Sequence, residues 1–150
     1  MRLLVPPPIY AIGFAGFIWA MSLWFPQFGF DFTGKVVLSG VVAITGLGLD
    51  LVSLQRFFKA HTTVSPMSPR DTKTIVEDGI YRYTRNPMYL GLTLILGAFA
   101  LWIGNLLGFI AIPVFIWVIT QFQIRPEEEI LLEKFGEPFG DYMMRVRRWI

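Results

Sequence analysis

The chain has 150 residues, 54% of them hydrophobic and only 16% charged, with a formal net charge of +2 and a mean hydropathy of +0.54. Soluble domains carry roughly a quarter charged residues, so this composition excludes an ordinary water-soluble fold and points to an integral membrane protein. Cysteine is absent, which excludes disulfides, thiolate catalysis and cysteine metal sites together, and the single histidine, His61, has no clustered carboxylates to make a metal site with it.

The first predicted element is an apolar run over 9–25, entered through Pro6, Pro7 and Pro8. Prolines cannot extend a helix backwards, but they fit its first turn. Ala20-Met21-Ser22 has the small-x-small form of a cleavage site, yet Leu23-Trp24-Phe25 follows it and only Arg2 precedes the run, so the run reads as a retained span. A short loop containing Pro26 and Gly34 leads to a second run over 36–54, where Gly46 and Gly48 suit close helix contact in lipid. Asp50 falls inside this run. A carboxylate there costs about 2.5 kcal/mol or more on insertion scales, so it is expected to face the bundle interior and to have a partner.

The connection 56–85, at about 30 residues, is too long for a bare turn. Phe57-Phe58-Lys59-Ala60-His61 is expected to continue the second span as an interfacial helix, and 62–69, with Pro66 and Pro69, to be extended. Arg85-Asn86-Pro87-Met88-Tyr89-Leu90-Gly91 then opens a third run over 88–103. Pro87 biases Asn86 away from helical geometry and serves as a first helical residue, which leaves the Asn86 side chain at the mouth of the bundle. The blander alternative is that Asn86 caps the helix and Arg85 anchors topology. Gly104-Asn105 interrupts the apolar stretch, and a fourth run covers 106–123. No Asp, Glu, Lys, Arg or His lies from Met88 to Ile124, so the last two runs read as a hairpin that returns both flanking motifs to one side of the bilayer.

The second of those motifs is Arg125-Pro126-Glu127-Glu128-Glu129. Pro126 suits a first helical turn, and acidic side chains are favourable at a helix N-terminus. Successive residues sit about 100° apart around a helix, so Glu127 or Glu128 can turn back toward the bundle while Glu129 faces water. Gly136 stops this helix, and 142–149 forms a basic, aromatic tail suited to the interface.

These runs are apolar all round, unlike the alternating strands of a membrane barrel. The expected fold is an all-α integral membrane protein with about four transmembrane helices, an interfacial connection and a C-terminal helix, in one domain over 1–150. Arg56, Lys59, Arg70, Lys73, Arg82 and Arg85 lie in the long connection, and Arg125, Lys134, Arg145, Arg147 and Arg148 in the tail. The first loop has only Lys35 at its edge and the hairpin turn has no basic residue, so both termini and the long connection are expected to be cytoplasmic. The pI of about 9.1 follows from this bias and reads as topology plus contact with the headgroups of the lipid bilayer. Nucleic acid is not an expected partner, because no soluble segment shows a basic stripe with interleaved aromatics.

Phe58-x-Ala60-x-Thr62-Thr63-x-x-Pro66, then Gly79-x-Tyr81-Arg82-x-x-Arg85-Asn86-Pro87-Met88-Tyr89-Leu90-Gly91, then Arg125-x-Glu127-Glu128-x-x-Leu131-Leu132-Glu133-Lys134-Phe135-Gly136, with Tyr142 and Arg148, stand in this order. Together they resemble the isoprenylcysteine carboxyl methyltransferases and their phospholipid methyltransferase relatives, over about 57–150. The resemblance implies a membrane enzyme that binds S-adenosylmethionine on the cytoplasmic side; a bacterial or archaeal inner membrane is the expected location. It places Asn86, Tyr89, Arg125, Glu127 and Glu128 at the cofactor and Glu128 and Lys134 at the reaction. Lys134, Asp50 and Thr62 would face the acceptor. Asn86 stands where many members have histidine, and Lys134 where many have arginine, which keeps the charge and loses the bidentate fork. The implied acceptor is lipophilic or membrane-associated: an isoprenylcysteine-like carboxylate, a phospholipid amine or a small thiol. Competing readings are an NADPH-dependent reductase of the sterol type, whose ending is similar but which generally has more spans, and a non-catalytic membrane subunit.

Overall fold

The computed structural model describes residues 5–59 and 72–150. Thr62, His61 and the expected extended segment around Pro66 and Pro69 lie outside the described residues. Six α-helices follow in order: α1 (Pro7–Trp24), α2 (Lys35–Lys59), α3 (Pro87–Ile103), α4 (Ala111–Ile119), α5 (Arg125–Phe135) and α6 (Glu137–Arg145). The described residues contain no strand, only an isolated bridge between Gly29 and Asn105.

Among the described residues, three helical stretches are long and apolar enough to cross a membrane: α1, α2 and the continuous stretch Leu106–Phe135. The fourth, α3, is equally apolar and shorter, at 17 residues. Pro7 occupies the first turn of α1, and α2 runs on through Phe57 and Phe58 to Lys59; Ala60 and His61, expected to continue it, lie outside the described residues.

The fourth element differs from expectation. A separate helix was expected to begin at the glutamates, but the backbone stays helical from α4 through a π turn, Thr120–Ile124, into α5. Pro126 explains the widened turn. A proline inside a helix lacks an N–H and its ring clashes with the carbonyl four residues back, here Phe122, and a π turn relieves that clash without breaking the helix. Ile124, preceding α5, is itself in helical geometry at φ −65° and ψ −48°, so the glutamates do not sit at a free helix start.

The two short connections meet at one end of the bundle. Phe30 N–H donates to Gly104 O at 2.8 Å, Asn105 Nδ2 donates to Phe25 O at 2.9 Å, and Asn105 Oδ1 accepts from Leu107 N–H at 3.0 Å. Gly104 has φ 75°, and a Cβ there would lie 2.6 Å from Phe30 O, so glycine is needed for both conformation and proximity. Between the ends, α2 and α3 touch through backbone: a Cβ on Gly46 would lie 2.7 Å from Gly91 O, the close approach that small residues permit in lipid. Ile18, Leu96, Ala100, Ala111, Phe115 and Ile119 form the buried core between α1, α3 and α4, with Phe14 edge-on to Phe115 at 5.5 Å. Outward, Ile12, Trp19, Val37, Ile44 and Trp117 are exposed, a distribution that hydrocarbon solvent accounts for and water does not.

Candidate functional site

Both polar motifs lie at the end of the bundle opposite the stitched turns. Pro87 begins α3, and Asn86 before it has φ −129° and ψ 54°, the departure from helical geometry that a following proline favours. Asn86 does not cap α3 with its side chain. Its Nδ2 instead donates to Arg148 O at 2.9 Å, and its N–H donates to Thr84 Oγ1 at 3.1 Å. The C-terminal tail is therefore bound to this motif. Arg85 N–H donates to Arg147 O at 3.0 Å, Arg85 Nη1 to Met143 O at 3.0 Å, and Trp149 Nε1 to Thr120 Oγ1 at 3.1 Å.

Glu128 sits between two guanidinium groups. Arg85 Nη2 donates to its Oε1 at 2.8 Å, and Arg148 donates through Nε to Oε1 at 3.1 Å and through Nη2 to Oε2 at 2.6 Å. The Arg85 and Glu128 side chains are 9% and 11% exposed and that of Arg148 is 32% exposed. Burial pulls the Arg85 guanidinium below its usual pKa, while the Glu128 charge opposes the shift. The hydrogen bond to Glu128 holds Arg148 above its usual value. Both Glu128 oxygens are thus spent on orienting Arg85 and the tail, whereas the resemblance assigned this residue to the cofactor and the reaction.

Its neighbour is arranged differently. Glu127 Oε2 accepts from Tyr89 OH at 3.1 Å, and Glu127 lines two cavities at once. The narrower, about 90 Å³, lies between Thr74 and Ile75 on one side and Ile124, Leu131, Phe139 and Tyr142 on the other. The wider, about 510 Å³, is mostly apolar and opens among Pro7, Leu47, Leu51, Leu92, Asp50 and Tyr89. Phe57, Tyr81, Arg85, Asn86 and Glu127 border both, so they form a common wall. Tyr81 is fixed in it by Tyr142 OH, which donates to Tyr81 O at 2.8 Å, and by the ring of Phe57, edge-on at 5.5 Å. Burial pushes both tyrosine hydroxyls above their usual pKa, so both stay protonated as donors.

The remaining expected residues are distributed unevenly. Asp50 borders the wider cavity, but its Oδ1 is buried with no hydrogen-bond partner among the described residues, contrary to the partner expected for it. Arg125 and Lys134, expected at the cofactor and at the acceptor, are exposed and border neither cavity; Lys134 Nζ lies 5.7 Å from the centre of the Phe135 ring. Exposed Glu129 faces outward, as its position around the helix required. Sequence reasoning set Tyr81 and Arg148 among the motif residues without placing either at the site, put Phe57 in the continuation of the second span, and gave no role to Phe139. The Glu128 pairing had one available signal, an acidic run and a basic tail of comparable size, but no rule of spacing connects them.

In chemical terms the common wall offers a carboxylate (Glu127), an unpartnered guanidinium N–H (Arg85 Nε), one phenol (Tyr81), an amide (Asn86) and aromatic faces. That set suits a ligand bearing hydroxyls or an ammonium, a carboxylate and a flat ring.

The family model described as phospholipid methyltransferase matches residues 34–138. An uncharacterized protein of Haemophilus influenzae is 51% identical over 63 residues, which are 42% of this chain and all of that protein. The protein-S-isoprenylcysteine O-methyltransferase of Schizosaccharomyces pombe is 25% identical over 126 residues, 83% of this chain and 53% of the yeast protein. The chain thus spans about half the length of the yeast relative. No solved structure matches the chain.

Proposed function

Since the chain belongs to the phospholipid methyltransferase family, we propose that it moves a methyl group from S-adenosylmethionine to a lipophilic acceptor at the wall between the two cavities. The observation that carries this reading is Glu127, held by Tyr89 and bordering both spaces. In this reading the narrower cavity takes the cofactor and the wider, apolar one takes the acceptor.

The residues present fit the cofactor in kind. Glu127 holds the ribose hydroxyls or the ammonium group, and the free Nε–H of Arg85 holds the carboxylate. Phe135 and Phe139 flank the adenine. At about 90 Å³ the enclosed space must widen to take a nucleoside, and the tail strapped over it by Arg148 is the piece that has to shift. The cofactor supplies an activated methyl on a good leaving group. What the chain supplies is proximity and a dry cavity, effects that lower a barrier by ~7–11 kcal/mol when the reacting atoms are held in line. Glu128 acts at one remove, fixing Arg85 in the wall.

All four apolar helices, α3 included, cross the bilayer in this reading, with both termini and the long connection on the cytoplasmic side where the cofactor is. The test is calorimetry of the detergent-solubilised protein with S-adenosylhomocysteine. Binding with a rise in thermal stability is expected, and no binding at millimolar ligand, with stabilisation by NADPH, would replace this reading with a reductase.

A further inference from the structure

Charges are sorted along the last stretch of the chain. α5 leads away from the fourth span to Phe135, and α6 brings the chain back, since Arg85 N–H and Asn86 Nδ2 hold the Arg147 and Arg148 carbonyls at the opening of α3. Exposed Glu137 and Asp141 fall early on this return, and Arg145, Arg147 and Arg148 at its end. The cations therefore gather at the level where α3 begins. Most of the charge there is already matched: Arg148 with Glu128 at 2.6 Å, Arg145 with Glu77 at 2.8 Å and Arg56 with Asp78 at 2.6 Å. Arg82 and Arg147 are exposed and form no ion pair among the described residues. Arg82 borders an open cleft of about 610 Å³ together with Arg145 and Val146, and Arg147 is the next residue, so both uncommitted cations belong to one edge of the mouth.

The same edge carries Tyr83, Met144 and Ile150, which are 74%, 80% and 75% exposed. Their depth is fixed by what flanks them. Tyr83 precedes the start of α3 by four residues, which puts its ring at the headgroup level that aromatic side chains favour. In the tail, Trp149 Nε1 donates to Thr120 Oγ1 at 3.1 Å, which holds the neighbouring Ile150 at the end of the fourth span. Meanwhile α6 turns Phe139 and Tyr142 inward, leaving Met144 on its outer face. A soluble acidic partner would match the two arginines and leave three large apolar side chains in water. A zwitterionic lipid brings its own cation and leaves the arginine charge unbalanced. A phospholipid with net negative charge matches both halves of the edge.

We propose that this edge binds an anionic phospholipid of the surrounding leaflet, its phosphate shared by Arg82 and Arg147 and its chains beside Tyr83, Met144 and Ile150, and that the bound lipid keeps the tail seated on Arg85 and Asn86. Arg82 ends the turn Gly79–Arg82, and Arg147 lies in the tail. Two segments carrying like charge are thus held side by side, and a phosphate between them turns repulsion into attraction. The lipid acts here as neither methyl donor nor acceptor, so the inference goes beyond the methyl-transfer reading and does not depend on it.

The test places the full chain, without cofactor, in nanodiscs of dioleoyl phosphatidylcholine alone or mixed equally with dioleoyl phosphatidylglycerol. Native mass spectrometry reads the lipid retained on the protein, and amide hydrogen exchange over 143–150 reads the tail. Phosphatidylglycerol should be retained at least fivefold over phosphatidylcholine, and the tail should exchange at least threefold more slowly in the mixed discs. Arg82→Gln with Arg147→Gln should abolish both differences. Lys59→Gln with Arg125→Gln, which removes equal charge at other exposed positions, should leave both in place. Equal retention of the two lipids would overturn the site, as would an unchanged preference in the first double variant or the same loss in the second. Retention without slower exchange would overturn the hold on the tail. Glycerol 3-phosphate slowing exchange in pure phosphatidylcholine discs as much as the lipid does would replace the lipid with a soluble phosphate. If the first double variant does not fold, Arg147→Gln alone decides by the same two readings.

Discussion

Three adjacent glutamates show how little residue type says about role. Glu127 is held by a phenol in a wall shared by two cavities, Glu128 is clasped by two guanidinium groups, and Glu129 is exposed. Glu127→Gln should weaken S-adenosylhomocysteine binding by about 1.5–3 kcal/mol, the range for a hydrogen bond to a charged group, read by calorimetry. Glu128→Gln should act mainly on the fold. Removing one partner of a buried pair costs about 3–5 kcal/mol, and partial exposure of Arg148 puts the loss at the lower end, read as a lower melting temperature in detergent. Glu129→Gln should stay within about 0.5 kcal/mol on both measures, as exposed substitutions do. Equal effects at 127 and 129 would remove Glu127 from the site. The sequence separated Glu129 from its neighbours through helical geometry alone, but it could not rank Glu127 against Glu128. That ranking depends on where Arg148 lies, and a basic residue near a membrane surface has an equally good reading as a topology anchor.

At the scale of elements, the π turn matters because it sets which face of α5 meets the bundle. Inserting a wider turn rotates everything after it relative to α4, and Glu127 and Glu128 follow. Pro126→Ala would let the preceding carbonyl recover its helical N–H partner and remove the cause of the wide turn. The expected outcome is intact helicity by circular dichroism with S-adenosylhomocysteine binding weakened at least tenfold, as the glutamates swing off the wall. Unchanged binding would mean that packing, including the Trp149 bond to Thr120, holds the turn without the proline. Nothing in 106–124 announces this feature, since the run is uniformly apolar and Pro126 is equally at home at a helix start. The opening of α3 was far more legible, because Pro87 restricts Asn86 through local sterics that no tertiary contact has to supply.

For the molecule as a whole, the helices and their order were readable because apolar runs of about 20 residues have few alternatives. Docking of the tail was not, since it is made largely by backbone carbonyls at Met143, Arg147 and Arg148, which carry no sequence signature. Reporter fusions test the proposed orientation: those after Pro26 and Asn105 should behave as external, and those at Lys73 and the C-terminus as internal. An external Lys73 would separate the wall from the cytoplasmic cofactor pool and end the site assignment. The stitched turns at Asn105 and Gly104 bear on the same question of access. Hydrogen bonds join the α1–α2 loop to the α3–α4 turn at that end, and at the other end Tyr89 and Arg85 are bound to Glu127 and Glu128 of α5. With both ends fastened, the tail is the part whose bonds, to Arg85 and Asn86, can be let go without parting the helices, which makes it a latch and not a hinge.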